Sequence, residues 1–140
     1  ADKIKFLKEA YRLLKSNGTL IILDGFNSKE KKEYTKEELK IMKNWNHGWA
    51  VESLETGNYF IVESKKIGYN NQKFINITDN TMKTSKIMYL SSFPAYLVDF
   101  FGRLFKRRTK YNSGNVKAAK YQYIAMKKGL WYYGIFIAKK

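Results

Sequence analysis

The sequence predicts an α/β fold with the element order α-β-α-α-β-α-α-β, on three observations. Apolar residues at helical spacing over 3–16 are followed, after a short Ser-Asn-Gly loop, by a nearly unbroken apolar run at 19–24. A second strand-like run occupies 71–79, and a helix at 116–128 leads into a third at 131–138. Helices joined to apolar strands by short loops are typical of α/β units.

The first helix and strand have the clearest local signals. One face of the helix is apolar at spacings of three and four residues, which predicts an amphipathic helix. Its apolar positions are Ile4, Leu7, Tyr11 and Leu14. Gly18 stands where a left-handed residue would end the helix. The run 19–24 has the continuous apolar character of a strand inside a parallel sheet.

The central segment contains two shorter helices. Thr35 and Glu38 have the spacing of a capping box, which predicts a helix start at this point. The aromatic stretch 44–54 is predicted to be a loop. A further helix is predicted at 57–67, ended by Gly68.

The segment 84–105 is the most apolar long stretch of the chain. Pro94 is expected to break it into two helices, because proline removes a backbone donor and clashes with the preceding turn. Its three charged residues argue against a membrane span. The basic residues 106–115 are predicted to form a turn-rich loop before the last helix.

Composition limits the function classes. The 140 residues are enough for one domain with a buried core. Absence of Cys excludes a disulfide framework and thiolate chemistry, and the single His excludes a multi-histidine metal site, so no metal is predicted. The N-terminus lacks the apolar core of a secretory signal, and a cytoplasmic location is expected.

The net charge of +15 suggests an anionic partner, either nucleic acid or a membrane surface. The lysines are scattered along the chain, and Asn, Ile and Tyr are abundant with them, which favours a composition bias over a built basic surface. A nucleic-acid partner is therefore not favoured, and peripheral membrane contact stays open.

The ordered segments resemble a known family. "FLKEAYRLLKSNGTLIILD" at 6–24 is similar to the helix, turn and fifth strand of class I, Rossmann-like S-adenosylmethionine-dependent methyltransferases. "YFIVESKKIGYNNQKFINITDN" at 59–80 resembles the helix and sixth strand of that family. The tail from Ala118 resembles the final helix and seventh strand of its tocopherol, sterol and sarcosine methyltransferases. Ser16 and Asn17 depart from the family's usual Pro and Gly.

The resemblance implies that the chain is the C-terminal half of a methyltransferase domain. The family's sheet order leaves this chain strands 5, 7 and 6, in a three-stranded mixed sheet with helices and a helical lid insertion. Strand 19–24 would then be an exposed edge that proteins normally cover. The implied partner is an N-terminal methyltransferase half on a separate chain or in residues missing from this one. A homodimer through strand 19–24 is the alternative.

The resemblance also divides the single partial domain, 1–140, into five parts. They are a helix plus fifth strand at 1–26, a cap insertion at 27–55, a helix plus sixth strand at 56–80, a helical lid insertion at 81–115, and a helix plus seventh strand at 116–140.

No G-x-G-x-G turn occurs among the nine glycines. The cofactor implied by the resemblance, S-adenosylmethionine, would therefore be bound mainly by the other half, and this chain alone is predicted to be inactive.

Three residues at the end of the first strand are candidates for the site. Open α/β sheets bind ligands at the carboxyl ends of their parallel strands. Asp24 is a catalytic candidate, Gly25 a cofactor-binding candidate and Phe26 a pocket candidate. In the alternative interpretation, Asp24 is only a turn residue after a buried strand.

The stretch "NWNHGW" at 44–49 supplies three more candidates. Trp45 and Trp49 are predicted to line the substrate pocket, because indole faces attract methylated ammonium and sulfonium groups. His47 is a candidate general base, because its ordinary pKa lies near neutrality. The alternative is that both tryptophans are core residues and the histidine is solvated.

The remaining pocket candidates come from the lid and the turn before it. Tyr89 and Phe93 are predicted to belong to an apolar lid, which would suit a small apolar or lipid-like substrate. Asp79 and Asn80 follow the second strand and are weaker candidates. The alternatives are an ordinary hydrophobic core for the aromatic residues and a turn for the polar pair.

Three functions are consistent with these features. The favoured one is the substrate-pocket and lid part of a small-molecule methyltransferase. The second is a basic nucleic-acid- or membrane-binding module, and the third is a non-catalytic regulatory methyltransferase subunit. The charge motivates the second, while sequence alone does not separate the third from the first.

Overall fold

The computed structural model describes residues 2–105 and 109–140, without the side chains of Lys110 and Tyr111. Within these residues, five α-helices and three strands follow one another in the predicted order. They are α1 (Lys3–Leu13), β1 (Thr19–Asn27), α2 (Lys36–Gly48), α3 (Gly57–Ile67), β2 (Asn70–Asn76), α4 (Thr78–Leu104), α5 (Lys110–Lys127) and β3 (Trp131–Lys139). A short 3-10 helix, Lys31–Glu33, precedes α2. The α/β class is therefore confirmed.

The sheet has the order β1-β3-β2, so the last strand of the chain lies in the centre. This is the order expected for strands 5, 7 and 6. Both ladders are antiparallel, because β3 runs against each of its neighbours. β1 and β2 run in the same direction but share no ladder, so the sheet within this chain is antiparallel and not mixed.

One face of the sheet is covered by α1 and α3. Register places Ile22 opposite Phe136 and Phe136 opposite Phe74, so these side chains share that face. Phe26, Phe136 and Leu7 are fully buried there with Phe60. The rings of Phe26 and Phe60 meet edge to face at 5.4 Å. Aromatic burial of this kind supplies much of the stabilising free energy of a small core.

The opposite face of the sheet is covered only at one end. There Trp131 is buried under α2 and α5, together with Trp45 and Met126. Farther along the same face, Ile21 and Leu23 of β1 are 63% and 54% exposed, and Ile75 of β2 is 45% exposed. The sheet therefore presents a bare apolar area beside the outer edge of β1, which among the described residues is paired only at its end, where Asn27 bridges to Thr56.

α4 and α5 form a helical hairpin that buries polar side chains of α4 beside the ring contact of Tyr89 with Tyr123. Ser85, Ser92 and Asp99 recur every seven residues on α4 and are all buried. The Asp99 carboxylate accepts a hydrogen bond of 2.6 Å from Ser113 Oγ on α5 and pairs with Arg103 Nε at 3.1 Å. Small side chains and this satisfied carboxylate let the two helices approach closely.

Pro94 does not divide the lid segment, so that prediction is wrong. α4 is one helix of 27 residues with Pro94 inside it. Leu90, whose carbonyl loses its donor to proline, is on the exposed side of the helix with Pro94 itself. Water can satisfy that carbonyl there, which lowers the cost of an internal proline.

Two loop predictions are also corrected. Residues 44–48 are the last turn of α2, and 110–115 are the first turns of α5. Packing explains both, because Gly48 and Gly114 let α2 and α5 cross so closely that a Cβ at Gly48 would lie 2.5 Å from the Gly114 carbonyl oxygen. The rest of the predicted basic loop, 106–108, lies outside the described residues.

Substituting Gly134 tests the packing at the centre of the sheet. A Cβ at Gly134 would collide with the Phe74 ring, which lies over it from β2. We expect Gly134→Ala to lower the free energy of unfolding by about 1–3 kcal/mol in urea titrations. Gly114→Ala is the matched control, since its Cβ would lie 3.6 Å from the nearest atom in a helix. Equal effects of both substitutions would contradict this packing.

The capping box at the start of α2 predicts a pH-dependent stability. The pKa of Glu38 is lowered by the backbone N–H of Thr35 and by Lys29, whose Nζ lies 3.0 Å from its carboxylate. A lowered pKa in the folded state stabilises it above the ordinary carboxyl range, and this contribution is lost as pH falls through the lowered pKa. Glu38→Gln should therefore destabilise the protein at neutral pH and have less effect in acid.

The measurement is thermal unfolding of both proteins between neutral and acid pH. Glu37→Gln is the control, because it removes a carboxylate from the same turn without touching the capping box. A Glu38→Gln effect that stays constant with pH would show that the carboxylate charge does not matter.

Candidate functional site: a tryptophan-lined cleft at the end of the first strand

A cleft of about 390 Å³ lies between the sheet and the helices that cover its end. The end of β1, the start of α4, the last turns of α2 and α5, and the first residues of β3 form its walls. Its lining residues are Asp24, Gly25, Trp45, Trp49, Val51, Leu54, Asn80, Thr81, Thr84, Ser85, Gln122, Met126, Trp131 and Tyr133. All three tryptophans of the chain are among them.

The central feature of the cleft is a stacked tryptophan pair. The rings of Trp45 and Trp131 lie 4.1 Å apart at an interplanar angle of 24°. Gly25 lies against this pair, and a Cβ there would be 3.2 Å from Trp131 Cε3 and 3.5 Å from Trp45 Cη2. Glycine therefore lets the strand backbone approach the indole rings closely.

Asp24 stands beside Gly25 at the edge of the cleft. Its Oδ1 accepts a hydrogen bond of 2.7 Å from the Gly25 N–H, and the group is exposed. Asp24 lies within β1, opposite Gly134 of β3, so it is not the turn residue after the strand that the alternative interpretation expected. Its contact with the Gly25 N–H leaves further lone pairs of the carboxylate for a ligand.

Gln122 of α5 joins the walls of the cleft through its amide group. Its Oε1 accepts a hydrogen bond of 2.9 Å from Trp49 Nε1, and its Nε2 donates one of 3.0 Å to Ser85 Oγ. The backbone carbonyl of Gln122 accepts a third hydrogen bond, of 3.2 Å, from Trp131 Nε1. One residue of α5 therefore fixes side chains from α2, α4 and β3.

The indole N–H of Trp45 is buried without a hydrogen-bond partner among the described residues. Buried donors are nearly always paired in folded proteins, so such a group is a feature to explain. It belongs to a residue of the stacked pair that lines the cleft.

Helical geometry explains which predicted residues of α2 reach the cleft. Trp45 and Trp49 are four residues apart and share one face of α2. His47 lies two residues from each and faces the other way, into two neighbouring depressions of about 540 and 520 Å³. His47 therefore does not line the cleft, although it shares one of these depressions with Trp49 and Val51.

Of the remaining candidates, one lines the cleft and the others lie outside it. Asn80 lines the cleft, whereas Asp79 does not. Phe26 is fully buried in the core against Phe60 and Phe74, so it cannot contact a ligand there. Tyr89 lies one turn beyond Ser85 and Phe93 two turns beyond, and their rings meet at 5.1 Å outside the cleft.

Several lining residues were not predicted from the sequence. Thr81, Thr84 and Ser85 project from α4, and Gln122 from α5. The available signal was the single polar amide in the stretch "AAKYQYIAM", which is otherwise rich in apolar and aromatic residues. Its role depends on contacts with distant segments and has no local pattern.

The cleft holds no evident metal centre. Among residues 2–105 and 109–140, no group of three or more His, Cys, Asp or Glu side chains is placed to hold a metal ion. In the same part of the chain, none of the helices has both the length and the hydrophobicity needed to span a bilayer.

Replacing Gln122 tests whether its amide organises the cleft. Gln122→Leu removes the partner of the buried Ser85 hydroxyl and of the Trp49 N–H. We expect the free energy of unfolding to fall by about 1–2 kcal/mol and tryptophan emission to change. Gln122→Glu keeps an acceptor for Trp49 and should have the smaller effect on emission. Unchanged stability and emission in Gln122→Leu would contradict the role.

Comparisons with known proteins find likeness in structure only. No protein-family profile and no curated protein sequence matches the chain. A phosphoethanolamine N-methyltransferase 2 of Haemonchus contortus, solved with phosphomonomethylethanolamine and S-adenosylhomocysteine, matches 99% of the chain with a TM-score of 0.65 and 18% identity. Its complex with S-adenosyl-L-methionine matches 99% with a TM-score of 0.64 and 19% identity. The cyclopropane synthase MmaA2 of Mycobacterium tuberculosis matches 98% with a TM-score of 0.74 and 11% identity.

The matched part is a fraction of each of these structures. The chain spans 30% of the two Haemonchus chains and 49% of the mycobacterial one. Identities this low establish the fold alone. The expected resemblance is thereby confirmed: the chain has the fold of the C-terminal part of S-adenosylmethionine-dependent methyltransferases.

Proposed function

We propose that this chain is the substrate-pocket and lid part of a methyltransferase that uses S-adenosylmethionine and acts on a small, apolar or lipid-like molecule. The observation that supports this most is the tryptophan-lined cleft at the carboxyl end of β1. Open α/β sheets bind their ligands at the carboxyl ends of their parallel strands, and the strands that pair in parallel with β1 would come from the proposed N-terminal half. The chain places an aromatic, water-excluding wall there, on a fold that methyltransferases share.

The cleft chemistry suits a methyl transfer. Indole faces attract sulfonium and methylated ammonium groups, and Trp49, which is 37% exposed, offers such a face beside the buried stacked pair of Trp45 and Trp131. Met126 and Leu54 add apolar surface, while Thr84 and Gln122 offer hydrogen bonds for orienting a substrate. A small, mostly apolar molecule with one polar group fits this set of side chains.

The residues present fit only the reacting end of the cofactor. When bound, S-adenosylmethionine supplies the electrophilic methyl group. In this chain, Gly25 would lie near that group and the tryptophan pair would exclude water from it. No glycine-rich turn that would hold the rest of the cofactor occurs in the sequence.

The chain's own contribution to the rate would be mainly positioning. Holding a nucleophile in line with a reactive group makes the reaction effectively unimolecular. Asp24 is the carboxylate at the edge of the cleft and is the proposed proton acceptor for a protonated nucleophile. His47 lies on the other face of α2 and has no part in this proposal.

The missing elements would come from an N-terminal methyltransferase half. β1 is an edge strand with exposed Ile21 and Leu23, and the adjoining face of β3 and β2 is bare at Ile75. Open apolar edges of this length are usually covered in proteins. A parallel strand beside β1 and a helix over the bare face would bury this area. A second copy of the chain is the competing occupant.

Titration of S-adenosylmethionine followed by tryptophan fluorescence tests the proposal. All three tryptophans line the cleft, so a ligand there changes their emission. The titration is made on the chain alone and then with an N-terminal half, taken from residues encoded before residue 1 or from the neighbouring gene. We expect a saturable change in tryptophan emission only when the N-terminal half is present.

Controls separate assembly from cofactor binding. Ile21→Asp/Leu23→Asp should abolish the fluorescence change by preventing assembly, and gel filtration shows whether the two halves associate. A tryptophan-free form of the N-terminal half, titrated without this chain, gives the background fluorescence. Saturable binding by the isolated chain would overturn the half-domain proposal, and assembly without any cofactor binding would favour the regulatory-subunit alternative.

A further inference from the structure

The outer face of α4 is apolar over most of its length. Its exposed apolar residues between 87 and 105 are Ile87, Leu90, Phe93, Leu97, Val98, Phe100, Phe101, Leu104 and Phe105. We call these nine residues the α4 stripe. From Ile87 to Phe105 it extends about 27 Å along the helix. A surface of this size is unusual on a protein that remains free in water.

The stripe faces outward because the opposite side of α4 is already occupied. Ser85, Ser92 and Asp99 face α5 in the hairpin and are buried. The stripe residues recur at spacings of three and four, which keeps them on the side away from this contact. α4 is thus inverted relative to an ordinary surface helix, whose polar face is the exposed one.

The stripe is uncharged, and cations flank it in the sequence. The only charged residues between 87 and 105 are Asp99 and Arg103, which pair with each other on the α5 side. Exposed Lys83 and Lys86 precede the stripe on α4. In sequence, residues 81–120 contain nine Lys or Arg and one Asp, a net charge of +8 out of +15 for the whole chain.

We infer that the α4 stripe lies in the interface of an anionic lipid bilayer, with α4 parallel to the membrane plane. The apolar side chains would enter the boundary between headgroups and acyl chains, and the flanking cations would contact anionic headgroups. A bilayer would account for both the apolar stripe and the positive charge, whereas nucleic acid would account only for the charge. A second copy would use only the stripe and would bring two segments of net charge +8 together.

This inference is independent of the proposed function, because it concerns a surface outside the cleft. Of the stripe residues, none lines the cleft. Vesicle binding can therefore be measured without cofactor or a second protein. Failure of one proposal leaves the other standing.

Flotation of the full chain with vesicles tests the inference. The vesicles are phosphatidylcholine alone or phosphatidylcholine with about 30% phosphatidylserine. We expect the protein to float with the anionic vesicles, and to do so less at about 0.5 M salt than at about 0.1 M, because salt screens the headgroup attraction. A protein that stays unbound with both vesicle types overturns the inference.

A matched pair of variants assigns the binding to α4. Leu97→Asp/Phe101→Asp changes residues of the stripe that are 64% and 54% exposed. Phe6→Asp/Leu13→Asp makes the same chemical change on α1 at residues 50% and 66% exposed. We expect roughly a tenfold or greater loss of anionic-vesicle binding in the first variant and little change in the second.

Circular dichroism and unfolding temperature verify that both variants are folded. Equal losses in the two variants would overturn the assignment to α4, since both add the same charge. Sedimentation equilibrium tests the competing explanation, in which a second copy of the chain covers the stripe. A dimer that Leu97→Asp/Phe101→Asp dissociates, in a protein that binds no vesicles, would assign the stripe to a second copy.

Discussion

The central strand β3 is the element on which the rest of the molecule depends. It is hydrogen-bonded to β1 on one side and β2 on the other, although it is the last strand of the chain. Its Phe136 lies in the core under α1 and α3, and its Trp131 lies in the core under α2 and α5. Without β3, the first two strands have no partner and both cores lose their shared wall.

The same strand explains where the cleft forms. Trp131 begins β3 and stacks on Trp45, so α2 is fixed at the carboxyl end of β1. Gly25 leaves room for the strand to approach the two rings, and Gln122 ties the surrounding walls together. The cleft is therefore a consequence of how the helical layer attaches to one end of the sheet. Its polar groups are few and are held by specific hydrogen bonds.

Two apolar surfaces remain after both cores are complete, and their chemistry differs. The bare face at Ile21, Leu23 and Ile75 adjoins an open strand edge, so main-chain hydrogen bonds can join it to another protein segment. The α4 stripe belongs to a helix whose backbone groups are largely satisfied internally. Only side-chain burial is available there, and the proposed anionic bilayer would provide it.

Local patterns in the sequence determined most of the secondary structure. The capping pair Thr35 and Glu38, Gly68 at the end of α3 and the apolar runs of the strands all depend on neighbours within a few residues. The family resemblance added the strand order, which no local pattern contains. Sequence reasoning named Asp24, Gly25, Trp45, Trp49 and Asn80 as separate candidates, and the fold brings these five to one cleft.

Tertiary contacts decided the rest. α4 continues through Pro94, and the Leu90 carbonyl that loses its donor there belongs to the exposed side of the helix; 44–48 and 110–115 are helical because α2 and α5 pack on each other. His47 and Phe26 stand beside cleft residues in sequence, yet helical phase and core burial direct them elsewhere. Gln122 has its role because two distant segments meet at its side-chain amide and a third at its backbone carbonyl. Sequence determined which segments are helices and strands, since those depend on local spacing, whereas only folding decided which side chains share a surface.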